Sequence, residues 1–293
     1  MLTAWATPED DLQALFDSLP EQTVVMLAEG IYRQKVMIRT PGLTVLGAGE
    51  DKTKLVYGDY AKKRDHLGAE YNTFRTWTLA VCADGVTLGK LTVENDALAP
   101  EKLGQEVALS VVADDFRMEN CVLRSTQDTL FLGPLPSDLI GRYEGFLEDP
   151  LRRYGRFRQY FRNCRIEGTV DFIFGCGEAR FENCVLHSLR DKREIGFVAA
   201  PAHDILQTEG FHFIGCAFTA EAGVPEGSVF LARPWRDYGM TAITDCTCGS
   251  HIATEGFDKW QGTARDRTAR FYETPEIPGR VSWINRSEQK GKK

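Results

Sequence analysis

Two aspartates pose the chemical question. Asp128 follows Cys121 by seven residues, and Asp171 follows Cys164 by seven. Each cysteine ends one copy of a short unit, Phe116-Arg-Met-Glu-Asn-Cys121 and Tyr160-Phe-Arg-Asn-Cys164. If these units stack in register as adjacent coils, the two carboxylates lie one above the other on backbones about 4.8 Å apart. Ionised carboxylates so close repel, and one pKa is driven upward. One group can then stay ionised as a nucleophile while the other keeps its proton as a general acid. Solvated turns, where Asp is common, offer a plainer explanation. The same count from Cys184 reaches Asp191, so spacing alone does not select a catalytic residue. Surroundings do more. Asp171 lies in Val170-Asp-Phe-Ile-Phe-Gly175, an apolar run in which a carboxylate needs a partner. Asp128 stands between Gln127 and Thr129-Leu130-Phe131, whereas Asp191 lies in Arg190-Asp-Lys-Arg193, where solvation or ion pairing accounts for it. Gln105 and Gln127 are 22 residues apart, close to one coil. Their amides can face a developing oxyanion or simply bond along the stack.

Elements must hold these groups in place, and a repeat supplies them. The unit recurs as Phe181-Glu-Asn-Cys184 and Phe213-Ile-Gly-Cys216, with weaker copies Leu91-Thr-Val-Glu-Asn95 and Ala242-Ile-Thr-Asp-Cys246. Each alternates apolar and polar residues as a half-buried strand does. A period of roughly 20 to 30 residues signals a solenoid whose repeats stack on one another. Strand-rich repeats with scattered Gly predict an all-β fold, a right-handed parallel β-helix. Cys121, Cys164, Cys184 and Cys216 then form an interior column of small, unreactive hydrophobes. Thr7-Pro8-Glu9-Asp10-Asp11, followed by Leu12, Leu15, Phe16 and Leu19, predicts a short N-terminal helix capping the open end. A single domain over residues 1–286 is expected. It is interrupted by an inserted loop at about 133–158 and followed by a polar tail, 287–293, expected to be disordered.

Bulk composition excludes several function classes. The 293 residues are 43% hydrophobic and 26% charged, with a net charge of −7. An acidic balance argues against nucleic acid or an anionic membrane as partner. No run approaches the 18 or more apolar residues of a membrane helix. Residues Met1-Leu2-Thr3-Ala4-Trp5 show no secretory leader, so a cytoplasmic location is expected; a chain trimmed of a leader would read identically and be secreted. None of the eight cysteines forms a Cys-x-x-Cys pair, and Cys246 and Cys248 come closest, so neither metal nor cofactor is expected.

Several segments resemble the pectin methylesterase family. Gln127-Asp128-Thr129-Leu130, Gly168-Thr-Val-Asp171-Phe-Ile-Phe-Gly175 and Leu231-Ala-Arg233-Pro-Trp235 are similar to its three signature motifs. Gln105-Glu-Val-Ala-Leu109 and Thr73-Phe-Arg-Thr76 resemble two upstream segments, Gly30-Ile-Tyr32 the first coil and Arg280-Val-Ser-Trp283 the C-terminal pattern. The resemblance runs in order over nearly the whole chain. It implies a pectin lyase-like β-helix that demethylates methyl-esterified galacturonate, in pectin or its oligosaccharides, and releases methanol. It implies Asp171 as nucleophile, Asp128 as acid and then base, Gln105 and Gln127 as oxyanion donors, and Arg233 as the cation pairing Asp171. Trp235 would stack on a sugar ring, and Thr73, Phe131 and Phe174 would contact substrate. Outside the motif, Arg233 reads equally as a surface ion pair and Trp235 as packing beside Pro234.

Departures from the family pattern fall close to the site. Phe131 stands where the family commonly has Tyr, and Ala232 where it has Gly. Cys176-Gly-Glu follows Gly175 in place of an Asn-Ala type. The inserted loop is longer than in plant members and directly follows the Asp128 strand. It is expected to overhang the cleft and favour short oligosaccharides. The competing classes are a β-helix lyase or galacturonase and a non-catalytic carbohydrate-binding β-helix. A lyase would want an acidic calcium cluster with a basic proton abstractor, and no such motif is present; a non-catalytic relative would break the Asp/Gln/Arg set, which is complete. Hydrolysis of another ester, a thioester included, stays open on the residues alone.

Overall fold

A computed structural model describes residues 2–97, 104–141 and 147–285. The tail at 287–293 and residues 142–146 of the inserted loop lie outside them. Among the described residues, strands form three parallel sheets of ten, eight and seven strands. One coil takes one strand from each, as in Phe116–Glu119, Val122–Arg124 and Leu130–Leu132. The next coil repeats the order in Arg158–Arg162, Arg165–Gly168 and Val170–Gly175, paired in register with the first. This is the right-handed parallel β-helix.

Local chemistry explains why the chain turns at the same point in each coil. Asn120, Asn163, Asn183, Gly215 and Asp245 occupy the corner between the first and second sheets, all with φ between 52° and 60°. Asn, Asp and Gly tolerate this left-handed region far better than other residues. The following cysteine points inward. Three of these thiols donate to a carbonyl of the preceding coil: Cys164 to Met118 at 3.4 Å, Cys184 to Phe161 at 3.6 Å and Cys216 to Phe181 at 3.4 Å. Phe161, Phe181 and Phe213 stack beside this column at ring separations of 4.8 and 4.7 Å.

Two expectations need correction. The weak copy Leu91–Asn95 is out of phase by five residues: Gly89 pairs with Glu119, which puts Lys90 (φ 55°) at the corner. Asn95 instead ends a second-sheet strand and ties Asp59, Thr76 and Val107 carbonyls together through its amide. The capping helix spans only Leu12–Ser18, with Asp11 as its N-cap. Thr7 and Asp10 close a separate turn through the Asp10 carboxylate, which is thereby unavailable to the helix. A strand, Thr3–Ala6, precedes them and adds to the edge of the first sheet. Leu12 and Phe16 of the helix cover the end of the interior.

The inserted segment packs down on the outer face of the third sheet. Leu135, Ile140, Leu147, Leu151 and Phe157 share a buried cluster with Met37, Ala80, Val112, Phe131 and Phe174. Arg153 pins it further, donating to the Cys82 and Val112 carbonyls at 2.8 and 2.9 Å and pairing with Asp84.

Candidate active site

Asp128 lies in the turn just before the third-sheet strand Leu130–Leu132, and Asp171 near the start of the strand Val170–Gly175, where the ladder to the next coil is irregular. Leu130 pairs with Ile173, so Asp128 and Asp171, each two residues earlier, are equivalent positions on adjacent coils. Each has a left-handed backbone, with φ 65° and 50°. That conformation is uncommon outside Gly, Asn and Asp, and here it turns both carboxylates out at one corner. Asp191 is not in this column. Val170 pairs with Phe197, so the extra residues of that coil, Asp191 among them, loop out before the strand begins.

The pair is strongly desolvated, with Asp128 and Asp171 each only 8% exposed. Arg233 grips Asp171 with both arms of its fork, Nε to Oδ1 at 2.8 Å and a terminal nitrogen to Oδ2 at 2.7 Å. Its guanidinium is itself sandwiched 3.8 Å from the Phe197 ring centre and 4.1 Å from that of Trp260. Such bidentate, charge-assisted pairing fixes orientation as well as charge. Burial raises the pKa of Asp171, and the Arg233 bonds and charge work against that rise. Asp128 lacks such a clamp. Burial first and the neighbouring Asp171 charge second push its pKa well above the usual carboxylate range, only partly opposed by a Gln127 hydrogen bond. Both pKa values are raised, that of Asp128 further, because only Asp171 has a cation in bidentate contact.

Gln127 immediately precedes Asp128, and its Oε1 accepts from Arg193 at 2.8 Å. Gln105 lies at the same corner one coil earlier, but the offset is 21 residues: Leu109 pairs with Leu130, which sets Gln105 opposite Thr126 and Glu106 opposite Gln127. Thr73 opens a short 3-10 turn, Thr73–Arg75, that presses Phe74 onto Phe131 with ring centres 5.2 Å apart. The aromatic row continues from Phe131 to Phe174 at 5.1 Å and on to Trp235 at 5.9 Å. Phe131 and Phe174 are 2% and 3% exposed, so they support the cleft from beneath, whereas Trp235 is half-buried at its surface. Among the described residues, no group of three or more His, Cys, Asp or Glu is placed to hold a metal.

Sequence reasoning missed Arg193, Phe197 and Trp260. Arg193 stood in view beside Asp191, but its link to Gln127 spans 66 positions and depends on how far the coil loops out. Trp260 carried a weaker signal, an aromatic shortly after Gly256-Phe257.

Comparison with known proteins gives this geometry its family. A family model described as Pectinesterase matches residues 3–134 and 144–291. Pectinesterase 31 of Arabidopsis thaliana is 31% identical over 273 residues, covering 89% of this chain and 77% of that protein. The structure of a pectin methylesterase from carrot superposes with a TM-score of 0.80 at 22% identity, over 97% of this chain and 88% of the other. A pectin methylesterase solved in complex with a hexasaccharide gives 0.79 at 23% identity, over 96% and 91%. The chain belongs to the pectinesterase family, and with it to the carboxylic ester hydrolases.

Proposed function

We propose that this protein hydrolyses the C6 methyl ester of galacturonate units in pectin or its oligosaccharides, with Asp171 as nucleophile and Asp128 as acid and base. The observation that carries the reading is the asymmetry of the pair. One carboxylate is held by both arms of Arg233, and its neighbour one coil away has no such clamp and has its pKa pushed well above the usual carboxylate range by burial and the Asp171 charge. Two equivalent surface aspartates would show neither feature.

The steps balance on these groups. An Asp171 oxygen bonds to the ester carbonyl carbon, and the oxyanion that forms is met by the side-chain amides of Gln105 and Gln127. On collapse the C6–OCH₃ bond breaks, and Asp128 gives its proton to the departing oxygen, releasing methanol. The galacturonyl group is left as an anhydride with Asp171. Asp128, now ionised, takes a proton from water as the water oxygen attacks the same carbon. Asp171 leaves as a carboxylate, Asp128 is again protonated, and the new galacturonic acid loses its proton to solvent.

The sugar chain lies over the aromatic row, with Trp235 as the stacking platform and Thr73 at the opposite end. The docked insertion forms one wall of the cleft, joined to the Trp235 loop by the Arg236–Asp138 pair at 3.1 and 3.0 Å. This wall favours short methylated oligosaccharides over long polymer. The test is the product: methylated galacturonate should yield methanol and free carboxylate with no ultraviolet-absorbing unsaturated sugar. Unsaturated product without methanol would assign the cleft to a lyase.

A further inference from the structure

Arg193 makes contacts that none of the ester-hydrolysis steps uses. It projects from the looped-out turn Asp191–Glu194, closed by the Glu194 amide donating to the Asp191 carbonyl at 3.2 Å. Asp191 holds it three ways. Its Oδ1 accepts from the Arg193 backbone amide at 2.7 Å and from Nε at 2.8 Å, and its Oδ2 accepts from a terminal nitrogen at 2.5 Å. That terminal nitrogen also reaches the Thr169 hydroxyl at 3.4 Å, two residues before Asp171. The other terminal nitrogen donates to Gln127 Oε1 at 2.8 Å. With a side chain 45% exposed, Arg193 contributes little to the core.

A guanidinium carries five donors and no acceptor, so only the oxygen of an amide can face it. With Oε1 committed to Arg193, the Gln127 NH₂ must point the other way. On that side lies Asp128, which accepts a hydrogen bond from Gln127. Without Arg193 only the bond to Asp128 opposes the amide's two-fold flip, which would aim Oε1 at the developing oxyanion and replace attraction with repulsion. An arginine clamped at one end by a carboxylate is suited to enforce one orientation, because its planar fork is already ordered before it meets the amide.

We propose that Arg193, held by Asp191, is a positioning residue that locks the Gln127 amide with its NH₂ toward the carboxylate pair. The proposal rests on the reading of Gln127 as an oxyanion donor and adds Asp191 and Arg193 to the apparatus as a relay. Asp191, set aside as a member of the catalytic column, re-enters as the anchor of that relay.

The test is a double-mutant cycle on a methylated oligogalacturonide, with kcat and KM measured separately for wild type, Gln127→Ala, Arg193→Ala and the double variant. Removing one oxyanion donor costs about 10²–10³ in kcat, so a loosened donor should cost about 10- to 100-fold in Arg193→Ala, with KM changed less than about twofold. In the Gln127→Ala background the same change should cost less than about twofold, because residues acting through one another are not additive. Asp191→Asn should show a smaller kcat loss that also vanishes without Gln127, and it carries the test if Arg193→Ala is insoluble. Equal losses with and without Gln127, a loss confined to KM, or full activity in Arg193→Ala would each overturn the proposal. An active Gln127→Ala would overturn it together with the donor role of Gln127. Ester hydrolysis by Asp171 would stand apart from both, since methanol release by Asp171→Ala tests it independently.

Discussion

At the residue scale, two chemically identical side chains are made different by what surrounds them. Asp128 and Asp171 share a corner, a left-handed backbone and equal burial, yet only Asp171 has a cation in bidentate contact. The sign of the resulting pH dependence is fixed. Arg233 lowers the pKa of Asp171 against the rise that burial imposes, and a nucleophile must be ionised to attack. Replacing Arg233 with Gln should therefore raise that pKa and move the acid limb of the kcat/KM profile to higher pH, while Arg233→Lys, which keeps the charge, should move it less. A limb that stays in place or moves to lower pH would show that Arg233 does not set the ionisation of Asp171. The pair itself was legible in the sequence, because the offset of 43 from Asp128 to Asp171 equals the coil length given by Leu130 and Ile173. Arg193 and Trp260 were not, because their partners are set by loop lengths that no local pattern encodes.

At the element scale, the repeat unit is a corner plus a column. Asn at the corner supplies a left-handed residue, and the next residue, Cys, fills the interior while its thiol donates a hydrogen bond to a carbonyl one coil back. The strong copies were readable because each carries an Asn or Gly followed by Cys. Leu91–Asn95 misled because its Asn lies at the wrong phase and Lys90 takes the corner instead. The left-handed conformation costs an ordinary L residue roughly 1–2 kcal/mol. Asn183→Ala should thus lower stability by about that much, whereas Asn183→Gly should lower it less. Denaturant midpoints at constant m-value give the comparison, and equal losses for Ala and Gly would mean that side-chain contacts, not backbone conformation, hold the corner. The capping helix shows a finer limit of sequence reading. Thr7, Pro8 and three acidic residues satisfy the general pattern of a helix start, but Asp10 bonds back to Thr7 and leaves the cap to Asp11.

At the scale of the whole molecule, the solenoid provides a rigid register and the insertion provides shape. The insertion shows in the sequence as a break in the repeat, and the strands end at Leu132 and resume at Arg158, but its docking was not legible. Its apolar residues show no periodicity, and their partners are the outward-facing Met37, Ala80, Phe131 and Phe174, which a strand pattern alone cannot mark as covered. The wall is tied to the Trp235 loop through Asp138 and Arg236, an exposed pair worth at most about 1 kcal/mol. Arg236→Ala should accordingly leave folding intact and shift the ratio of rates toward polymeric over short substrates. A ratio that is unchanged, or that shifts toward short substrates, would remove the insertion from substrate selection.

The proposed function turns on one chemical event at one atom. The most direct measurement is methanol release from methylated oligogalacturonide by wild type and by Asp171→Ala, with circular dichroism showing both folded. Methanol from wild type and none above the uncatalysed rate from Asp171→Ala is the expected result. Comparable methanol from both proteins would contradict the assignment of Asp171 as the nucleophile.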